Sequence, residues 1–232
     1  MLSIASSTLN KVINRVRPRS DAAASVAAPV LLGWYLRKGL APVIRGSVTF
    51  WLYRRARLPL FVGRGTSISY RRQIYFGKSC FVGARSTINA FSEKGIHFGD
   101  HVTLRENAWI QCSSHPSAPG IGLRIGDGTY IGPSVVLGVG GPITIGANCQ
   151  IGANVTIIAE NHAIEPDGMP SSTRVVRVGV QIGNDCWLGH GVSLLDGVVL
   201  GKGCIVGAGA VVTKSFPAGS KIAGVPARLL NG

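Results

Sequence analysis

Along the second half of the chain an aliphatic residue followed by glycine recurs every six positions: Ile182-Gly183, Leu188-Gly189, Leu200-Gly201 and Val206-Gly207, with Leu194 and Val212 keeping the phase. The same beat runs upstream through Ile125-Gly126, Ile131-Gly132 and Leu137-Gly138, then resumes two residues out of phase at Ile145-Gly146 and Ile151-Gly152 and reaches Ile157. Six matches neither the 3.6-residue period of a helix nor the alternation of an ordinary strand. A short internal repeat predicts a parallel β-solenoid: three short strands per turn, a triangular coil of about eighteen residues, and the aliphatic side chain on a narrow axis. The position four places later is small or branched (Thr129, Val135, Cys149, Val155, Cys186, Val192, Val198, Cys204, Ala210), as an inward position near a corner requires, because bulk there overpacks the axis. Glycine beside the aliphatic residue is expected to supply the backbone angles of a sharp corner.

A looser version of the beat, Phe76-Gly77, Val82-Gly83, Ile88, Phe98-Gly99, Leu104 and Ile110, precedes the regular blocks. It is interrupted near Phe91 to Gly95, again from Cys112 to Gly120, and most extensively over about 158–180. An excursion of that length from so tight a repeat points to function. The organisation expected is therefore a basic, partly helical segment over 1–58 and a solenoid domain over 59–232, with Phe216-Pro217 and Pro226 marking a tail that leaves the repeat.

Charge sharpens this division. The 232 residues carry +14, but residues 1–75 hold thirteen Lys and Arg against Asp21 alone, leaving +2 for everything after. Basicity confined to one end calls for an anionic partner. Trp34, Tyr35, Trp51 and Tyr53 stand among Arg37, Lys38, Arg45, Arg54, Arg55 and Arg57, and aromatic rings beside cations suit a membrane interface. The apolar stretch from Ala22 to Leu36 is too short to span a bilayer, so the expectation is peripheral contact at the inner face of the cytoplasmic membrane, or helices that cap the first coil. No recognised nucleic-acid module accompanies the charge. Of the five cysteines, Cys80, Cys149, Cys186 and Cys204 fall on the small inward position and Cys112 does not; none has metal-ligand spacing, and buried thiols in a reducing cytoplasm need no disulfide.

The third excursion carries Glu160-Asn161-His162-Ala163-Ile164-Glu165-Pro166-Asp167. Histidine accepts a proton near neutral pH, which transfer of an acyl group to a hydroxyl demands. From the residues alone, a surface histidine beside two carboxylates is the favoured reading of His162. After it come Ile182-Gly-Asn-Asp-Cys-Trp-Leu-Gly-His-Gly-Val-Ser-Leu-Leu-Asp-Gly-Val, Val206-Gly-Ala-Gly-Ala-Val-Val-Thr-Lys and Ala223-Gly-Val-Pro-Ala-Arg. With these segments the chain resembles the hexapeptide-repeat acyltransferase superfamily, in its sugar and polysaccharide O-acetyltransferase branch, over roughly residues 60 to 232.

That resemblance implies a left-handed parallel β-helix, acetyl-CoA as co-substrate and no metal. It also implies a sugar or lipid-linked saccharide acceptor and a homotrimer with sites at subunit boundaries. By position it makes His162 the general base, with Asn161 beside it and Glu165 where the galactoside and maltose relatives have an Asp three places after the His. It assigns His190, Ala208, Thr213, Lys214 and Arg228 to the coenzyme. Gly132 stands where those relatives carry an Asn, so the acceptor pocket is expected to differ. Serine and antibiotic O-acetyltransferases are the alternatives within the superfamily; a serine acetyltransferase would need a larger helical region than 1–58 supplies. A zinc carbonic anhydrase on the same solenoid needs two histidines five apart, and no pair among His97, His101, His115, His162 and His190 has that spacing. A non-catalytic scaffold would leave the His162 excursion without a purpose.

Overall fold

The computed structural model describes residue 33 and residues 36–112, 115–166 and 168–230. It divides into two compact units, 1–41 and 42–232. Within the first, the described residues form one π-helical turn, Leu36–Leu40. Trp34 and Tyr35, candidates for the membrane-facing cluster, and nearly all of Ala22 to Leu36 lie outside the described residues.

The second unit is a three-sided parallel β-helix. Its first face stacks strands from Arg55–Ala56 to Val199–Leu200, its second runs from Leu60–Val62 through Lys221–Ala223, and its third from Ser67–Ser69 to Val211–Val212. Among the described residues all pairings between coils are parallel, and the tail strand Arg228–Leu229 folds back antiparallel on Lys221–Ala223. The aliphatic residues of the beat line the axis: Ile125, Ile131, Leu137, Ile145, Ile151, Ile157, Ile182, Leu188, Leu194, Leu200, Val206 and Val212 are all buried. The small positions beside them are buried too, Thr129 donating its hydroxyl to Gly146 O at 2.7 Å and Cys204 its thiol to Pro217 O at 3.1 Å. All five cysteines are buried and unbridged, Cys112 included, and burial pushes the Cys80 and Cys112 thiols up to about 12.

Two expectations are corrected. The early uninterrupted coils repeat after 20 residues, as from Leu123 to Ile143, and the last two steps shorten, to the expected 18 from Gln181 to Val199 and to 16 from Ile205 to Lys221. The added pair at Gly140-Gly141 is what shifts the phase of the beat before Ile145. The glycines of the beat, moreover, are required by proximity and not by backbone angle. A Cβ on Gly132 would lie 2.6 Å from the Gly152 carbonyl carbon of the next coil. The left-handed angle falls two residues later, at Asn148, Asn154, Asp185 and Gly191 among others, where Asn and Asp tolerate it nearly as well as glycine.

All three interruptions leave the prism from one edge, between the third face and the first. The coils on either side still pair in register, Ile96 with Leu123 across the second and Ile143 with Val180 across the third. The strand Arg55–Ala56 already pairs with Tyr75–Phe76, so the solenoid begins four residues before Pro59. Ahead of it, helix α1 (Ala41–Thr49) lies on the first coil with Pro42 and Gly46 buried. Tyr53 follows, packed edge-on against Phe76 at 5.0 Å.

Candidate active site

The longest excursion is an antiparallel hairpin, Asn161–Ile164 against Pro170–Val176, which places Asn161 opposite Val176 and His162 opposite Val175. Its sequence supplies the turn: Pro166 follows Glu165, and Gly168 N–H donates to Glu165 O at 2.9 Å, with Gly168 in the left-handed region. The hairpin root is fastened on three sides. Arg177 reaches Glu160 at 3.3 Å and donates to Pro119 O at 3.1 Å, tying the third excursion to the second. Gly141 N–H donates to Ala159 O at 2.6 Å. Asp196 accepts the N–H groups of Val178 and Gly179 at 3.1 and 2.7 Å where the chain re-enters the coil.

His162 is exposed on this hairpin, and its Nδ1 lies 2.8 Å from Ser171 O. A carbonyl oxygen only accepts, so Nδ1 carries the proton in this contact and Nε2 is left with a lone pair. Ser171 is itself buried and held: its Oγ accepts Arg174 N–H at 2.9 Å. Glu165, three places on, is half-buried. Its carboxylate is clasped by the Arg174 guanidinium, Nε at 3.2 Å and Nη2 closer still. The Arg174 bond first, and the Ser171 hydroxyl second, hold this carboxyl below the ordinary carboxylate range. The Ser171 hydroxyl that supports Glu165 thus belongs to the residue whose carbonyl contacts His162 Nδ1. Asn161 is exposed at the start of the same strand.

The residues assigned to the coenzyme fall on two edges. His190 and Ala208 occupy successive coils at the edge between the second and third faces, where Gly209 N–H donates to His190 O at 2.8 Å. A Cβ at Gly191 or Gly209 would meet no atom within 4 Å, so the backbone here is open. Thr213 and Lys214 lie exposed at the edge from which the His162 hairpin springs, with Lys214 Nζ 5.7 Å from the Phe216 ring centroid. Arg228 is exposed in the tail, on the strand facing Ala223. The third face connects the two edges and carries Trp109 42% exposed. His97 stacks on Tyr75 at 4.2 Å, His101 is exposed at a corner, and His115 bonds Ser117 Oγ at 2.7 Å within the second excursion. Among the described residues no group of three or more His, Cys, Asp or Glu side chains is arranged to hold a metal ion. Ser171, Arg174, Arg177 and Asp196 were not singled out from the sequence; their types are those of any polar loop, and only the folded hairpin gives them partners.

Comparison with known proteins shows what this three-sided coil is similar to. The family model for bacterial transferase hexapeptide (six repeats) matches residues 179–214, and that for the hexapeptide repeat of succinyl-transferase matches 74–111 and 122–159. Galactoside O-acetyltransferase of Escherichia coli (strain K12) is 31% identical over 128 residues, 55% of this chain and 62% of that protein, so the match spans less than two thirds of the relative's length. Among solved structures, a hexapeptide-repeat acetyltransferase from Vibrio cholerae O1 biovar eltor complexed with acetyl coenzyme A superposes with a TM-score of 0.51 at 21% identity, covering 87% of this chain and 83% of that one. An N-acyltransferase from Bacillus cereus in complex with dTDP and coenzyme A gives 0.54 at 16% identity, covering 78% and 84%. The chain thus carries hexapeptide repeats over the matched residues and is similar to hexapeptide-repeat acetyltransferases, and its fold is the left-handed parallel β-helix.

Proposed function

We propose that the protein is an acetyl-CoA-dependent O-acetyltransferase that acetylates a hydroxyl of a sugar or of a surface-polysaccharide precursor. The observation that carries the reading is the Nδ1 contact of His162 with Ser171 O at 2.8 Å, which fixes the tautomer that a general base needs. Nε2 takes the proton of the acceptor hydroxyl as that oxygen attacks the thioester carbonyl; the new ester C–O bond forms, the C–S bond breaks, and the proton passes to the departing thiolate. The transfer is direct, in a ternary complex, and the thiols of this chain are buried away from it. Similarity to the galactoside O-acetyltransferase supports a saccharide hydroxyl as acceptor.

The residues present fit the coenzyme. Lys214 and Arg228 offer exposed cations to its phosphates, and the open space at Gly191 and Gly209, whose own N–H groups bond Ala153 O and His190 O, leaves room for the pantetheine arm. The working unit is a homotrimer in which a neighbouring subunit covers the exposed face between the two edges, Trp109 included. The test is acceptor-dependent release of coenzyme A thiol across a panel of mono- and oligosaccharides, with His162→Ala alongside. General-base catalysis is worth about 10²- to 10⁴-fold, and that loss in turnover is expected with coenzyme binding retained. No acetyl transfer to any saccharide hydroxyl, or near wild-type turnover by His162→Ala, refutes the reading.

A further inference from the structure

Helix α1 is built inside out. Its buried side is Pro42 and Gly46, and a Cβ on Gly46 would overlap the Leu60 carbonyl, so glycine is what lets the helix sit on the first coil. Its apolar side chains are left open: Ile44, 53% exposed, and Val48, 66%, line a cleft beside the first coil with Val62, Ile68, Arg45 and Arg71, and Trp51, just beyond the helix, is 63% exposed. In sequence the four-residue spacing continues back through Leu40 and Leu36. A helix serving only as a cap would reverse this arrangement, because burying Ile and Val while exposing polar residues is the favourable choice. The indole is also held, its Nε1–H donating to Val48 O at 2.8 Å.

The surroundings identify the occupant. Between residues 42 and 92 the chain carries nine Arg and Lys and no Asp or Glu. Arg54, Arg55, Arg64 and Arg72 are exposed around the first coils, and Arg45 is held at the helix by its Nε–H to Val62 O at 2.8 Å. A second copy docked on this end would oppose like charges. A nucleic-acid backbone would satisfy the cations but leave Ile44, Val48 and Trp51 in water. An anionic bilayer satisfies both, since acyl chains take the apolar side chains and headgroup phosphates take the guanidinium groups. No helix among the described residues is long and apolar enough to cross a bilayer, so the contact is interfacial.

We infer that the exposed side of α1 with Trp51, ringed by the arginines of the first coils, is a docking surface for anionic phospholipid, and that the solenoid stands end-on upon it. Strand spacing sets the geometry. Four coil steps separate the Leu60–Val62 coil from the one that launches the His162 hairpin, which at about 4.8 Å each holds the histidine roughly 20 Å from the first coil.

The experiment is co-sedimentation of the full chain with vesicles of phosphatidylcholine alone and of phosphatidylcholine with phosphatidylglycerol at 7:3, at low and high salt. Binding is expected to the mixed vesicles only and to weaken with salt. The combined variant Ile44→Gln, Val48→Gln, Trp51→Gln is expected to bind at least tenfold more weakly with an unchanged thermal midpoint, since all three side chains are exposed. Brominated lipid is expected to quench an emission component that Trp51→Phe lacks. Equal binding to neutral vesicles, wild-type binding by the triple variant, absence of that quenched component, or displacement of the protein from vesicles by duplex DNA at matched charge would each overturn the inference. None of these readouts depends on acyl transfer.

Discussion

Replacing Ser171 by alanine tests how the base is held. In the structure Ser171 O receives the imidazole Nδ1–H, while the hydroxyl accepts Arg174 N–H at 2.9 Å and supports the Glu165 carboxylate. The substitution keeps the carbonyl but orphans a backbone N–H beside a side chain that is only 4% exposed. Arg174 is exposed and the bond only part-buried, so its loss is worth about 0.5–1.5 kcal/mol, equivalent to about a twofold to tenfold shift in a local equilibrium. If turnover needs the closed hairpin, kcat for acetyl transfer falls within that range while KM for acetyl-CoA holds, because the coenzyme residues lie elsewhere. The decisive measurement is the double-mutant cycle with His162→Ala. Ser171 acts through the imidazole, so once His162 is gone the second substitution should cost almost nothing further. Multiplicative losses in the double variant, or an unchanged kcat for Ser171→Ala alone, refute the assignment of Ser171 as the positioning residue.

Other consequences are as direct. Glu165 has a folded-state pKa depressed by Arg174 and then by Ser171, so its clasp is present above the ordinary carboxylate value of about 4.3 and is lost as pH falls through the lower folded value. Hydrogen exchange of the hairpin should report that loss in acid for the wild type and no such transition for Glu165→Gln. Gly132→Ala should cost about 1–3 kcal/mol in thermal or denaturant melts through overpacking against Gly152, whereas Gly203→Ala meets open space and is left with only the backbone-angle penalty of about 1–2 kcal/mol. Lys214→Ala and Arg228→Ala should each raise KM for acetyl-CoA by about tenfold with kcat retained, the charge-assisted bonds to phosphate being what is removed. Light scattering should give the mass of three chains; the mass of one for active protein would rule out the trimer.

What the sequence made legible was whatever repeats. Axis positions such as Ile131 and Leu188 and the small inward Thr129 and Cys204 could be placed because each coil imposes the same packing demand on its own hexads. The role of the neighbouring glycines was misassigned, because close approach between Gly132 and Gly152 is a contact between coils that no single hexad contains. His162 stands out in the sequence as a candidate through its position before a family-like segment, whereas the residues that hold it do not. Ser171, Arg174, Arg177 and Asp196 act through long-range pairings that depend on where a hairpin turns, and nothing periodic marks them. Helix α1 was expected among the basic residues; that it buries glycine and exposes Ile44 and Val48 emerges only once its seat on Leu60 is seen.

The confinement of all three excursions to one edge has a consequence for how such a protein changes over time. Across the third excursion the strands on either side remain in register, Ile143 with Val180 and Thr144 with Gln181, although a whole hairpin has been inserted between them. Length at that edge is thus decoupled from the stacking that holds the rest together: residues can be gained or lost there without obliging any axis position to move. If the hairpin carries the proposed acceptor preference, that preference can be exchanged as a cassette, and grafting a hairpin of another length between Ala159 and Gly179 should give a protein that melts as before while recognising a different acceptor.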